Sequence, residues 1–86
     1  MADYSVTFAR SARKELQALD PPIARRILRQ IEALVTNPRP EGVVKIEGAR
    51  SLYRIRFGDW RVVYEVADRE RSVDIVAVRH RRDAYR

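Results

Sequence analysis

The spacing of apolar and polar positions changes along the chain, and each change marks an element. From Asp3 to Phe8 the period is two: Tyr4, Val6 and Phe8 share one face, Ser5 and Thr7 the other. This predicts a short strand. From Ala9 the period becomes helical. Ala12, Leu16 and Leu19 recur on one side, with Arg13, Lys14, Glu15 and Gln17 between them. The pattern predicts an amphipathic helix of about ten residues with Ser11 as its candidate N-cap. Asp20-Pro21-Pro22 breaks that helix and opens the next, because proline is tolerated in a first turn, where its missing N–H has no helical partner. Ile23, Ile27, Ile31 and Leu34 form the second stripe, widened by Leu28 and Val35. Arg25, Arg26, Arg29 and Glu32 fill the other side, and Asn37-Pro38-Arg39-Pro40 ends the helix. The short link predicts an antiparallel helix hairpin.

Glu41 to Arg50 is a connection containing Gly42 and Gly48, in which Val43, Val44 and Ile46 offer a short edge strand. Leu52–Phe57, Trp60–Val66 and Val73–Val78 read as three strands. They are separated by the turn signal Gly58-Asp59 and by a charged turn from Ala67 to Ser72. The tail is Arg79-His80-Arg81-Arg82-Asp83-Ala84-Tyr85-Arg86. The order β-α-α-β-β-β predicts an α+β fold: a small, mainly antiparallel sheet with the helix pair on one face and the other face free. At this length one domain over residues 1–86 is expected, with no repeat and no internal boundary.

A two-residue loop at Gly58-Asp59 fixes the register of the central hairpin. Phe57 then faces Trp60, Arg56 faces Arg61, Ile55 faces Val62, Arg54 faces Val63 and Tyr53 faces Tyr64. Tyr53, Ile55, Phe57, Trp60, Val62, Tyr64 and Val66 form the core face. The opposite face carries Arg54, Arg56, Arg61, Val63 and Glu65. Like charges directly across a strand pair repel, so an Arg56–Arg61 pair with Arg54 beside it needs an anion, water or Glu65 to offset it. A solvated sheet face is the ordinary explanation of such a cluster; an anion site is the functional one. The tail adds Arg79, His80, Arg81, Arg82 and Tyr85 and can fold towards the same face. His80 is the only histidine and a candidate general acid or base, though a lone histidine in a basic tail is more often an exposed or phosphate-contacting group. Lys45, before the hairpin, is either an exposed loop residue or a phosphate contact.

Composition narrows the field. The chain has no cysteine, which excludes disulfides, thiolate metal sites and cysteine nucleophiles. No second histidine or carboxylate cluster accompanies His80, so neither a metal site nor a cofactor is expected. No apolar run is long enough to span a membrane, and Met1-Ala2-Asp3-Tyr4 lacks the form of a signal peptide, so a cytoplasmic protein is expected. Basic residues number 18 against 12 acidic, a net charge of +6. Codon bias explains the dominance of Arg over Lys as readily as function does. It does not explain the net charge, which points to nucleic acid or another acidic partner.

Three runs resemble the RelE/ParE superfamily, the toxins of type II toxin–antitoxin pairs. They are Lys45-Ile46-Glu47-Gly48, the stretch from Leu52 to Val66 (LYRIRFGDWRVVYEV), and the stretch from Val78 to Arg86 (VRHRRDAYR). The resemblance runs over nearly the whole chain, and the last two runs are specific together. It implies the fold just described. For the RelE-like branch it implies ribosome-dependent cleavage of mRNA in the ribosomal A site, by attack of a ribose 2′-OH on the adjacent phosphate. Residue by residue, it implies that Arg61 holds the scissile phosphate, Arg81 stabilises its charge and Tyr85 stacks on a base. Arg54 and Arg56 stand where well-studied RelE-like enzymes carry Lys. Since Arg keeps its proton, Glu65 and His80 become the candidates for the proton acceptor. Arg56 joins the expected catalytic set, with Lys45, Arg54, Arg79 and Arg82 as substrate contacts. The superfamily also contains ParE-like toxins that bind DNA gyrase and are not nucleases. Either branch implies a cognate antitoxin, with an acidic or extended segment over the basic surface, in a hetero-oligomer.

Overall fold

A computed structural model describes residues 3–48 and 51–82. The order is β1 (Ser5–Phe8), α1 (Arg10–Gln17), α2 (Pro21–Glu32), a single 3₁₀ turn (Ala33–Val35), β2 (Val44–Lys45), β3 (Leu52–Phe57), β4 (Trp60–Ala67) and β5 (Ser72–His80). The five strands form one sheet in the order β1-β5-β4-β3-β2. β2 to β5 pair antiparallel, while β1 lies parallel to β5. The chain reaches from β1 to its distant partner only after both helices have crossed one face, which gives the α+β architecture.

The helices follow their apolar stripes. Ala12 and Leu16 from α1, and Ile27 and Ile31 from α2 with Leu34 after it, are buried against Ile55, Val62, Tyr64, Val66, Val73, Ile75 and Val78 of the sheet. Asp20 occupies the N-cap of α2, with Pro21 and Pro22 in the first turn. Ser11 does not cap α1. Ala9 holds that position, and the Ser11 hydroxyl instead donates to the Val76 carbonyl at 2.9 Å. α1 is eight residues long, shorter than its periodicity predicts.

The β3–β4 register matches the two-residue loop at every pair from Phe57–Trp60 to Tyr53–Tyr64. Of the two loop residues only Gly58 has positive φ, +63°, the sign pattern of a II′ hairpin turn. On the predicted core face Ile55, Val62, Tyr64 and Val66 are buried, while Tyr53, Phe57 and Trp60 at its margins are half-buried.

β5 departs from simple alternation. Val63 faces Ala77 but Tyr64 faces Ile75, so Val76 is an extra residue on β5. This bulge reverses the facing of everything after it. Val73, Ile75 and Val78 can therefore all point into the core, although the last interval is three residues. Arg79 and His80 consequently belong to the strand rather than to a free tail.

Two side-chain networks hold the periphery. Glu15 accepts the Val78 N–H at 2.9 Å and the Arg79 Nε–H at 3.2 Å, closing the edge of β5 where β1 has ended. At the other end of the sheet the Asp68 carboxylate takes a two-pronged contact from Arg39 (3.1 and 2.8 Å) and the Tyr4 hydroxyl (2.6 Å), while Arg39 Nε also donates to the Tyr53 hydroxyl. These donors, Arg39 first, hold the Asp68 carboxyl down to about 2, and the same carboxylate raises Tyr4. Tyr64, fully buried, donates to the Pro38 carbonyl at 2.7 Å, and burial pushes its phenol up to about 12.

Candidate functional site

The open face of the sheet segregates charge along its length. Next to the β3–β4 turn stand Arg54, Arg56 and Arg61, with Arg79 in register opposite Arg61. Towards the far end stand Glu65 and Asp74, facing each other across β4 and β5. The separation follows from the alternation of strand side chains combined with the β5 bulge, so it is a property of the fold rather than of side-chain conformation.

Arg54, Arg56 and Arg61 line one concave site with Gly42 and Val44, about 290 Å³ in volume. That is space for several waters, and so for a phosphodiester group with part of its hydration. The Gly58-Asp59 turn organises its rim. Arg56 Nε donates to the Gly58 carbonyl at 3.0 Å, which folds that guanidinium back over the turn. On the other side of the turn the Arg81 backbone N–H donates to the Asp59 carbonyl at 2.7 Å, and its guanidinium lies 3.8 Å from the Asp59 carboxylate. Asp59, His80, Arg81 and Arg82 line a second concavity of about 490 Å³. The second concavity meets the hairpin turn at Asp59, the first lies along the strands that the turn joins, and each carries guanidinium groups.

The remaining sequence-predicted residues divide. Arg82 is exposed beside Arg81. Arg79 shares the open face with Arg61, but its guanidinium reaches Glu15. Lys45 is exposed, yet it faces Tyr53 and so lies on the helix side of the sheet's edge, while Val44 takes the place opposite Arg54. Glu65 shares the open face four positions along β4 from Arg61, roughly 14 Å at about 3.4 Å per residue. His80 faces Trp60 on the helix side, its ring edge-on to the indole at 5.1 Å between centroids. Its Nδ1 accepts the Arg82 backbone N–H at 3.3 Å. Among the described residues, those lining the arginine site thus include neither a carboxylate nor an imidazole. Tyr85 lies outside the described residues.

Sequence reasoning missed the contacts that join distant segments. Glu15 sits beside the apolar stripe of α1, a weak local signal of its inward role, but its partners are 63 and 64 residues away. Nothing local marks Arg39 for Asp68, or Tyr64 for Pro38. Among the described residues no group of His, Cys, Asp and Glu is placed to hold a metal, and no helix is long and apolar enough to cross a membrane.

Comparison with known proteins agrees with this architecture. The family model for the ParE toxin of the type II toxin–antitoxin system, parDE, matches residues 6–85. Toxin RelE of Mycobacterium tuberculosis is 31% identical over 84 residues, covering 96% of this chain and 87% of its own. The archaeal RelE–RelB complex from Pyrococcus horikoshii OT3 contains a chain that superposes with a TM-score of 0.79 at 34% identity, covering 91% of this chain and 94% of that one. The toxin–antitoxin complex RelBE2 of M. tuberculosis gives 0.79 at 28% identity, with 93% of each chain covered. A fold, a hairpin motif and full-length relatives that all agree assign this chain to the ParE toxin family of the RelE/ParE superfamily, as a RelE-like toxin of a type II toxin–antitoxin system.

Proposed function

We propose that this chain is a single toxin domain over residues 1–86 that cleaves mRNA in the ribosomal A site and thereby stops translation in the cytoplasm. The observation that carries this reading is the convergence of Arg54, Arg56 and Arg61 on one concave site, with Arg81 on the adjoining side of the turn. In RNA cleavage the 2′-oxygen attacks phosphorus, the bond to the 5′-oxygen breaks, and a 2′,3′-cyclic phosphate and a 5′-hydroxyl result. Charge builds on the non-bridging oxygens as the phosphorane forms. Fixed guanidinium groups aimed at those oxygens stabilise that state more than the ground state. Arg61 and Arg56 hold the scissile phosphate in this reading, Arg54 and Arg82 bind the flanking backbone, Arg81 stabilises developing charge, and Tyr85 stacks on a base.

Proton transfer separates this chain from a nuclease with a lysine base. Arginine does not accept the 2′-OH proton, Glu65 stands four positions along β4 from Arg61, and His80 lines the second concavity beside Arg81 rather than the one that holds Arg54, Arg56 and Arg61. The reading therefore assigns most of the rate to positioning and electrostatics, with the proton passing to solvent or to a group on the ribosome. The toxin–antitoxin complexes among the solved relatives support a cognate antitoxin; in this reading its acidic or extended segment covers the basic face.

The match to the ParE model, with neither a carboxylate nor an imidazole among the described residues of the lining, favours one second reading: a toxin that binds DNA gyrase and cuts nothing. One experiment separates the two. Purified protein is incubated with ribosomes programmed with a defined mRNA, and in parallel with gyrase and relaxed plasmid. The nuclease reading expects 2′,3′-cyclic phosphate ends within the A-site codon, absent with Arg61→Ala, and unimpaired supercoiling. Intact mRNA with inhibited supercoiling establishes the second reading instead.

A further inference from the structure

We propose that Arg39, clamped by Asp68 and Tyr53, is a positioning residue that sets the wall of the arginine site; the inference rests on the nuclease reading for its catalytic consequence. Three residues of the site, Arg54, Arg56 and Arg61, stand on paired strands and are held by the sheet. The other two, Gly42 and Val44, come from the segment between α2 and β3, in which Val44 and Lys45 pair with β3 and the Ile46 N–H donates to the Leu52 carbonyl at 2.9 Å, while Gly42 lies ahead of that pairing. Gly42 also lines the larger groove between α2 and the end of β3, so this stretch forms a partition between two concavities.

That partition is tethered just before it begins. Arg39 reaches Asp68 with both terminal nitrogens and Tyr53 with Nε, and its guanidinium carbon lies 5.0 Å from the Tyr53 ring centre. Tyr64 fixes the preceding carbonyl, that of Pro38. From Arg39 to Gly42 is three residues, at most about 11 Å of extended chain. Little slack is available within it: Pro40 has a fixed φ, and the Val43 N–H closes onto the Pro40 carbonyl at 3.2 Å, a turn that spans Gly42. A shift at Arg39 is therefore passed to Gly42 and Val44 rather than absorbed.

The clamp also lies where an ion pair does little for overall stability. Both side chains are substantially exposed, 38% and 57%, and exposed pairs contribute little to global folding. What a forked guanidinium–carboxylate contact does supply is geometric definition. Arg39 is thus suited to hold a backbone in place rather than to hold the fold together, and it acts on the phosphate site without touching the phosphate.

The test combines amide hydrogen exchange and programmed-ribosome cleavage for wild type, Arg39→Ala, Arg39→Lys, Asp68→Asn, Asp68→Ala and the double alanine variant. Exchange at residues 41–45 is expected to rise roughly tenfold or more in the alanine variants, with the β4 and β5 amides unchanged. In cleavage, kcat is expected to fall by roughly tenfold to a hundredfold, the scale of a small misplacement in a preorganised site, with KM nearly constant. The double variant should be no worse than either single one, and Arg39→Lys should recover part of the loss. Unchanged exchange at 41–45, unchanged kcat, or additive losses in the double variant each overturn the proposal. Should Arg39→Ala not fold, Asp68→Asn gives the same comparison. Should wild type not cleave at all, the nuclease reading fails, and the exchange arm alone decides whether the clamp holds the partition.

Discussion

Replacing Tyr64 with Phe removes one oxygen from the centre of the molecule. Tyr64 is fully buried on β4, and its hydroxyl donates to the Pro38 carbonyl at 2.7 Å. A neutral hydrogen bond of this kind contributes about 0.5–1.5 kcal/mol net, and stranding a buried partner costs about 1–3 kcal/mol. Pro38 is only half-buried, so water can replace part of the lost contact and the lower end of the second range applies. The ring itself stays, and no large cavity forms. That gives a destabilisation of about 1–2 kcal/mol, which in a domain of this size lowers the melting temperature by roughly 4–16 °C. Burial pushes the phenol up to about 12 in the folded protein, against about 10 in an unfolded chain. The neutral form is the one the fold favours, so this residue's contribution is fully present below pH 10 and is lost as pH rises towards 12. Urea titrations of wild type and Tyr64→Phe at pH 7 and pH 11 read both effects. The stability gap should be clear at pH 7 and smaller at pH 11. Equal stability at pH 7, or a gap that widens at pH 11, refutes the reasoning.

Asp68 behaves in the opposite sense. Its carboxyl is held down to about 2 by Arg39 and Tyr4, so its contribution is present above the unfolded value of about 3.9 and disappears as pH falls towards 2. Because the pair is exposed the contribution is small, and acid unfolding of Asp68→Asn should show a slightly shallower slope than wild type between those limits. Gly58→Ala adds a methyl that meets no atom within 4 Å, so its cost is that of an L-residue at φ +63°, about 1 kcal/mol, measured as a lowered urea midpoint with an unchanged m-value. Trp60→Ala should cost about 2 kcal/mol, below the 3–5 kcal/mol of a fully buried large aromatic, because Trp60 is half-buried against His80; thermal denaturation checks it.

The parts of the fold that obey local rules were legible in the sequence. The β3–β4 register follows from two loop residues and strict alternation, and with it the shared face of Arg54, Arg56 and Arg61. Both helices follow from 3.6-residue stripes, and the Asp20-Pro21-Pro22 boundary from proline's missing donor. His80 shows where this stops. Alternation counted from Val73 puts His80 on the face of Asp74, the open one, whereas the bulge at Val76 turns it to the helix side against Trp60. A bulge inserts one residue without any composition signal of its own, so parity beyond it cannot be counted along the chain. The clamps of Glu15 on β5 and of Arg39 on Asp68 were hidden for a related reason. Each depends on which strands become neighbours, and the pairing of β1 with β5 is decided by the whole fold.

The most direct measurement is a map of mRNA 5′ ends after brief induction of the chain in cells lacking its antitoxin, for wild type, Arg61→Ala and Arg81→Ala. The account predicts new ends confined to translated regions and in register with codons in wild type. Both variants should lose those ends while remaining folded, since both side chains lie off the core. Growth arrest without new ends, or new ends that persist in Arg61→Ala, contradicts an arginine site acting on the scissile phosphate.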